Sequence, residues 1–268
     1  MGGVNVEWGR SIKEALIFGT RLRRFLPYFI ADVTAVALGL CYFLMNADLV
    51  VQYSLLLESG ASPPPELASV FVPLVLLFFI WYLARVYIES AVMKQVLNPK
   101  PKDFGKCWTE AKKIYPVFLA TAIIVDVVIT AVSMIGGIIG DALTIIATLL
   151  LLFSLPAIIV DKKSIRKSIG KSIDIFKKNW AYVLFSWLFI SLVSIVISII
   201  AAAPGIVLFL EAILQFLTAG TIDADILFYM IQNPLMLIIC GLVFMTGWSI
   251  VSAVKANLLV TFYTKLKK

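Results

Sequence analysis

The sequence predicts an all-α fold, a polytopic membrane bundle of six transmembrane helices with both termini on the cytoplasmic side. Three observations carry this reading. First, the 268 residues are 61% hydrophobic and 15% charged, with a mean hydropathy of +1.00, whereas soluble domains are about 45–50% apolar and about 25% charged. Second, six apolar runs each reach the roughly 20 residues that a bilayer crossing requires. Third, all 23 Lys and Arg lie on one side of those runs or just inside their ends on that side. The three opposite connections hold none. Lys and Arg are retained on the inner side during insertion, so the basic side is cytoplasmic and the protein belongs in the cell membrane as a multi-pass chain.

Residues 8–25 place Trp8, Ile12, Ala15, Leu16, Gly19 and Leu22 at helical spacing, with Arg10, Lys13, Arg21 and Arg24 mostly off that stripe. This predicts an amphipathic helix lying in the membrane interface. Span 1 runs about Leu26–Met45 and is too long for the core of a cleavable signal. The connection 48–68 begins apolar and ends in Ser62-Pro63-Pro64-Pro65, which breaks helices. Span 2 covers about Val70–Val92. A connector with Pro99 and Pro101 leads to a second amphipathic piece with Phe104, Cys107, Trp108 and Ala111 on one face.

Span 3 covers about Tyr115–Ile138 and span 4 Ala142–Val160, joined by a tight turn at Gly136–Asp141 that makes them antiparallel neighbours. The third connector, Asp161–Asn179, sets Ile165, Ile169, Ile173 and Phe176 on one side and seven basic residues largely on the other. Span 5, Trp180–Ala203, is expected to stop at Pro204. The apolar segment Gly205–Leu217 carries Glu211 and Gln215 and is expected on the outer surface, and span 6 runs about Pro234–Phe262. The chain is one domain, 1–268. An amphipathic helix, a span, an outer turn and a returning span recur three times, which reads as internal triplication with units about 1–97, 98–160 and 161–268.

Charge and residue types exclude several functions. The outer connections hold Asp48, Glu58, Glu66, Asp141, Glu211, Asp223 and Asp225, while the other nine acidic residues face 23 basic ones. Such a basic inner face matches anionic lipid headgroups, and no specific nucleic acid is implied. Histidine is absent, which removes Ser-His and Cys-His catalysis and histidine-based zinc sites. Cys41, Cys107 and Cys240 show no paired spacing. Gly170-Lys171-Ser172 imitates the end of a phosphate loop, but residue 165 is Ile and no strand precedes it. Asp223 and Asp225 with Glu211 read as solvated carboxylates, so no metal, cofactor or catalytic residue is assigned.

The stretches Glu89–Ile124 and Phe153–Leu188 carry a span ending in Pro and a few aliphatics, a polar helix, and an aromatic restart. In this they resemble YciC-like polytopic membrane proteins and the membrane domain attached to some glycerophosphodiester phosphodiesterases. The resemblance implies an α-helical membrane domain and supplies no catalytic residues.

Two sets of candidate residues remain. Ionisable groups inside the spans are costly, about 2.5–3.5 kcal/mol each at mid-bilayer on insertion scales, and Asp126, Arg85, Glu89, Asp32 and Lys255 are of this kind. They read either as an interhelical pair, Asp126 or Asp32 with Arg85, or as a polar path for an ion, a proton or a headgroup. The second set is basic: Arg21, Arg23, Arg24, Lys162, Lys163, Arg166, Lys167, Lys171, Lys177 and Lys178. The sequence therefore predicts a non-enzymatic membrane protein that organises lipid or a membrane complex through its basic face, its expected partners being membrane lipids and a homo-oligomer or membrane complex partner. The alternative is a transporter or channel component using Asp126, Arg85 and Glu89.

Overall fold

The computed structural model describes residues 7–48, 66–100, 103–208, 210, 214 and 234–267. Their regular elements are all helices: α1 (Trp8–Gly19), α2 (Leu22–Met45), α3 (Glu66–Leu97), α4 (Phe104–Ser133), α5 (Gly137–Leu151), α6 (Ser154–Asp161), α7 (Ile165–Leu208) and α8 (Pro234–Leu266). Six stretches are long and apolar enough to cross a membrane: α2, the Phe71–Leu97 part of α3, α4, α5 together with α6, α7 and α8. The chain is thus a multi-pass α-helical membrane protein.

Several side-chain bonds bring the basic ends of these helices together. Arg24, at the start of α2, donates to Gln95 Oε1 near the end of α3, and to the Pro99 carbonyl at 3.4 Å. Lys94 Nζ donates to the Ile159 carbonyl of α6 at 3.1 Å. Asp161 accepts from Tyr263 Oη at 2.5 Å and from Lys267 Nζ at 2.7 Å, both from α8. Lys265 of α8 reaches Ser11 of α1 at 2.9 Å. Each bond joins the end of one helix to another, so they act as a lacing across one end of the bundle.

Around that end, α2, α3, α4, α5, α7 and α8 are successive neighbours, and α8 returns to α2 to close the ring. α3 and α8 also touch directly, and α6 contacts α3, α4, α7 and α8. The short α6 therefore fills the middle of the ring. Its Pro156, Ala157, Ile158 and Ile159 are buried, and its last turn closes on Lys162 in the left-handed conformation, whose N–H bonds the Ile158 carbonyl. With Lys94 on the Ile159 carbonyl, two of the terminal carbonyls that every helix leaves open are satisfied.

Packing is graded along the helices. In α2 only Arg24, Tyr28 and Asp32 are buried, all in its first half, and in α8 burial begins at Gly247. Large apolar side chains toward the far end, such as Leu44, Met45, Val75, Phe78, Ile200 and Leu235, are exposed and available to lipid. Where lipid replaces water, helix association relies on close approach rather than on apolar burial. Gly247 meets α7 so closely that a Cβ there would overlap the Ala201 methyl, and a Cβ on Gly19 would lie 3.1 Å from the Val254 nitrogen of α8.

Several boundaries differ from the sequence reading. The stripe of α1 faces protein: Trp8 packs on Phe189 and Phe262, while Leu22 is exposed. The second amphipathic piece and span 3 form one continuous helix, α4, with Pro116 inside it. Span 3 ends at Ser133, and the turn is shorter than Gly136–Asp141, since Gly136 and Gly137 take φ of +71° and +62° and α5 starts at once. Span 4 breaks at Leu152–Phe153. The third amphipathic segment runs into span 5 across a kink at Asn179, and its buried stripe is Ser168, Ser172 and Ile175 rather than the isoleucines beside it. Pro204 does not end α7, which continues to Leu208. Glu211, Asp223, Asp225 and the Ser62–Pro65 breaker lie outside the described residues.

Candidate functional site

The five ionisable residues singled out inside the spans gather on the flanks of α3. Trp81, Arg85 and Glu89 recur every four residues and so project from one stripe of that helix. The Arg85 guanidinium is 3.5 Å from Asp32 Oδ1, and the two side chains are 19% and 6% exposed. Arg85 also donates to Ser252 Oγ of α8 at 2.5 Å. Trp81, Tyr28 and Trp248 surround it with ring centroids at 5.4, 5.6 and 6.0 Å. Trp81 Nε1 donates to Asp32 Oδ1 at 2.9 Å. Arg85 is therefore held by α2, α3 and α8 together, its charge shared between one carboxylate and three aromatic faces.

Asp126 lies on the other flank, where it accepts from Tyr82 Oη at 2.6 Å. It does not reach Arg85, so of the two interhelical partners weighed for that arginine, Asp32 is the one in place. Lys255 of α8 is exposed, and Glu89 stands one turn beyond Arg85 on α3. Among the described residues it makes no hydrogen bond or ion pair. Asp32 Oδ2 and Tyr28 Oη are likewise buried without a hydrogen-bond partner, although most buried polar atoms in proteins have one.

No family model, curated protein or solved structure matches this chain.

A second polar feature is the helix break in span 4. A break exposes backbone groups that a membrane interior cannot hydrate. Here Ser172 of α7 fills the gap, donating to the Leu150 carbonyl at 2.7 Å and accepting from the Phe153 N–H at 3.1 Å. This is the role of the serine in Gly170-Lys171-Ser172.

The third feature is a basic rim. Arg21, Arg23, Lys162, Arg166, Lys167, Lys177 and Lys178 are exposed, and Lys171 is half-buried. None of these forms an ion pair among the described residues. Lys163 differs, lying 3.6 Å from Asp161. Arg24 departs from the expected headgroup role: it is 5% exposed, stacks over Phe18 with its guanidinium 4.7 Å from the ring centroid, and turns inward to Gln95.

Tyr28, Ser252, Trp248, Trp81 and Tyr82 are absent from the residues that the sequence singles out. The available signal was spacing. Tyr28 and Asp32 are one turn apart, as are Trp81 and Arg85, and polar atoms repeating at that interval inside apolar helices mark a shared face.

Proposed function

We propose that this protein is a cell-membrane protein with both termini cytoplasmic, which organises anionic phospholipid through its basic face without a catalytic centre of its own. The observation that carries this reading is the rim of exposed Arg21, Arg23, Lys162, Arg166, Lys167, Lys177 and Lys178, which find no carboxylate partner among the described residues, at the end where the helices are laced together. An exposed cationic surface on a tightly packed base presents its charges to anionic headgroups in a fixed array. Each basic group near such a surface contributes about 1 kcal/mol, screened within a Debye length of about 10 Å. The positive-inside bias supports the same orientation.

Native mass spectrometry of the purified protein tests this. Retained anionic phospholipid is expected to be lost when Lys162, Arg166, Lys167, Lys177 and Lys178 are changed together to Gln, and to be stripped by salt from the unaltered chain. Retention unchanged by both treatments refutes the lipid role, and a co-purifying protein subunit that leaves with the charges would reassign the rim to a partner.

A further inference from the structure

We propose that Arg24 and Gln95 form the seat of a single phosphate group, just beneath the surface where the start of α2 meets the end of α3. Arg24 is 5% exposed and pairs with no carboxylate among the described residues, whose ion pairs engage only Arg10, Arg85, Lys163 and Lys267. Buried charges in proteins are paired as a rule, so this guanidinium lacks an anion.

The second observation is joined to the first by a hydrogen bond. Gln95 is fully buried, and its Oε1 accepts from Arg24. That bond fixes which way the amide faces and sets Nε2 of the same planar group beside the guanidinium. Nε2 has no hydrogen-bond partner. Two guanidinium N–H groups are used, by Oε1 and by the Pro99 carbonyl, and Phe18 covers one face. The remaining N–H groups of Arg24 and both of Nε2 find no acceptor among the described residues. Donors from two helices therefore stand side by side with nothing to receive them.

The surroundings are positive as well. Arg21 and Arg23 are exposed beside Arg24 in sequence, and Lys100 is exposed just past the end of α3. α2 begins with no side-chain cap and no acidic residue in its first turn, so the positive end of its dipole adds to these charges. Lys94, the buried neighbour of Gln95, turns instead to the Ile159 carbonyl of α6. A phosphate group suits such a place, because its several oxygens accept from a guanidinium and an amide at once. The way in is short, since Asn98, Pro99 and Lys100 are all exposed within two turns of Gln95. The phosphate of a lipid headgroup and a phosphate from the aqueous phase share this chemistry. The seat uses a buried pair rather than the exposed cations of α7, so it stands whether or not the rim gathers lipid.

The test uses the full chain, delipidated in phosphate-free maltoside micelles. It is run unaltered and with Lys162, Arg166, Lys167, Lys177 and Lys178 changed to Gln, which separates the seat from the rim. The thermal unfolding midpoint is followed as sodium phosphate replaces sodium chloride at equal ionic strength, and in a second arm as phosphatidic acid is added. A saturable rise is expected in both chains. A rise with inorganic phosphate assigns the seat to phosphate from water, and a rise with phosphatidic acid alone assigns it to lipid. Gln95→Glu supplies the negative charge from within the protein. It should raise the midpoint in the absence of phosphate and weaken the response to either ligand at least about tenfold, the equivalent of one hydrogen bond to a charged group. Glutamate still accepts from Arg24, so the junction of α2 and α3 is kept and the test does not depend on a variant that fails to fold. The proposal is overturned if neither arm gives a rise, if the response is unchanged in Gln95→Glu, or if it disappears with the rim charges.

Discussion

Arg85 shows how one residue can hold three helices. Its charge is opposed by Asp32 from α2, its Nη2 bonds Ser252 from α8, and tryptophans from α3 and α8 cover it. Removing one member of such a pair strands the other, at a cost of about 3–5 kcal/mol, whereas removing both can be nearly neutral. Arg85→Met is therefore expected to lower the thermal unfolding midpoint in detergent sharply, and Arg85→Met with Asp32→Leu to recover much of the loss. Arg85→Lys should rescue little, because an ammonium cannot bridge Asp32 and Ser252 while lying flat against three rings. Equal stability of Arg85→Met and the unaltered protein would show the pair to be dispensable. The membership of this cluster is legible in the sequence, since Asp32, Arg85, Glu89 and Asp126 interrupt otherwise apolar runs. The pairing is not, because Asp32 and Asp126 approach α3 from different flanks and only tertiary placement tells them apart.

Elements depend on borrowed atoms in the same way. The break between α5 and α6 leaves the Leu150 carbonyl and the Phe153 amide without helical partners, and a single hydroxyl from α7 serves both. Ser172→Ala is expected to destabilise by about 1–3 kcal/mol, the range for leaving buried polar groups unsatisfied. Ser172→Thr, which keeps the oxygen, should do less harm. Unfolding midpoints of the two variants check this, and identical values would mean that the break closes into a continuous helix when the serine is lost. Hydropathy cannot reveal such a break. The residues at 150–153 are Leu, Leu, Leu and Phe, as apolar as the turns on either side, and the serine that explains it lies about twenty positions later. The amphipathic segments are legible for a related reason and only in part: period alone finds Cys107 and Ala111, but it centres the 165–178 stripe on isoleucines when the inward line runs through Ser168 and Ser172.

At the scale of the whole molecule, one end is laced and packed and the other is open to lipid. The ordering of charges should therefore translate into sidedness. In a background without Cys41, Cys107 and Cys240, an impermeant maleimide added to intact cells is expected to label Met134→Cys, in the exposed turn between α4 and α5, and to leave Lys167→Cys untouched until the membrane is opened. The reverse pattern would invert the proposed orientation. Six apolar runs and one-sided basic residues make the architecture of the spans readable directly from the sequence. The order of the helices around the ring is not, since apolar faces carry no address in lipid and neighbours are chosen by small residues such as Gly19, Gly247 and Ala201.

The lacing of α6 also sets a timetable for synthesis. Lys94 leaves the ribosome before this helix, Ser172 shortly after it, and Tyr263 and Lys267 only when α8 has been made. A nascent chain that has inserted its fourth span thus holds a helix whose seat is partly built and whose last clamps do not yet exist. The central piece of the bundle stays half-fastened until the last helix arrives, so nascent chains halted before α8 should leave α6 more open to attack than it is in the finished protein.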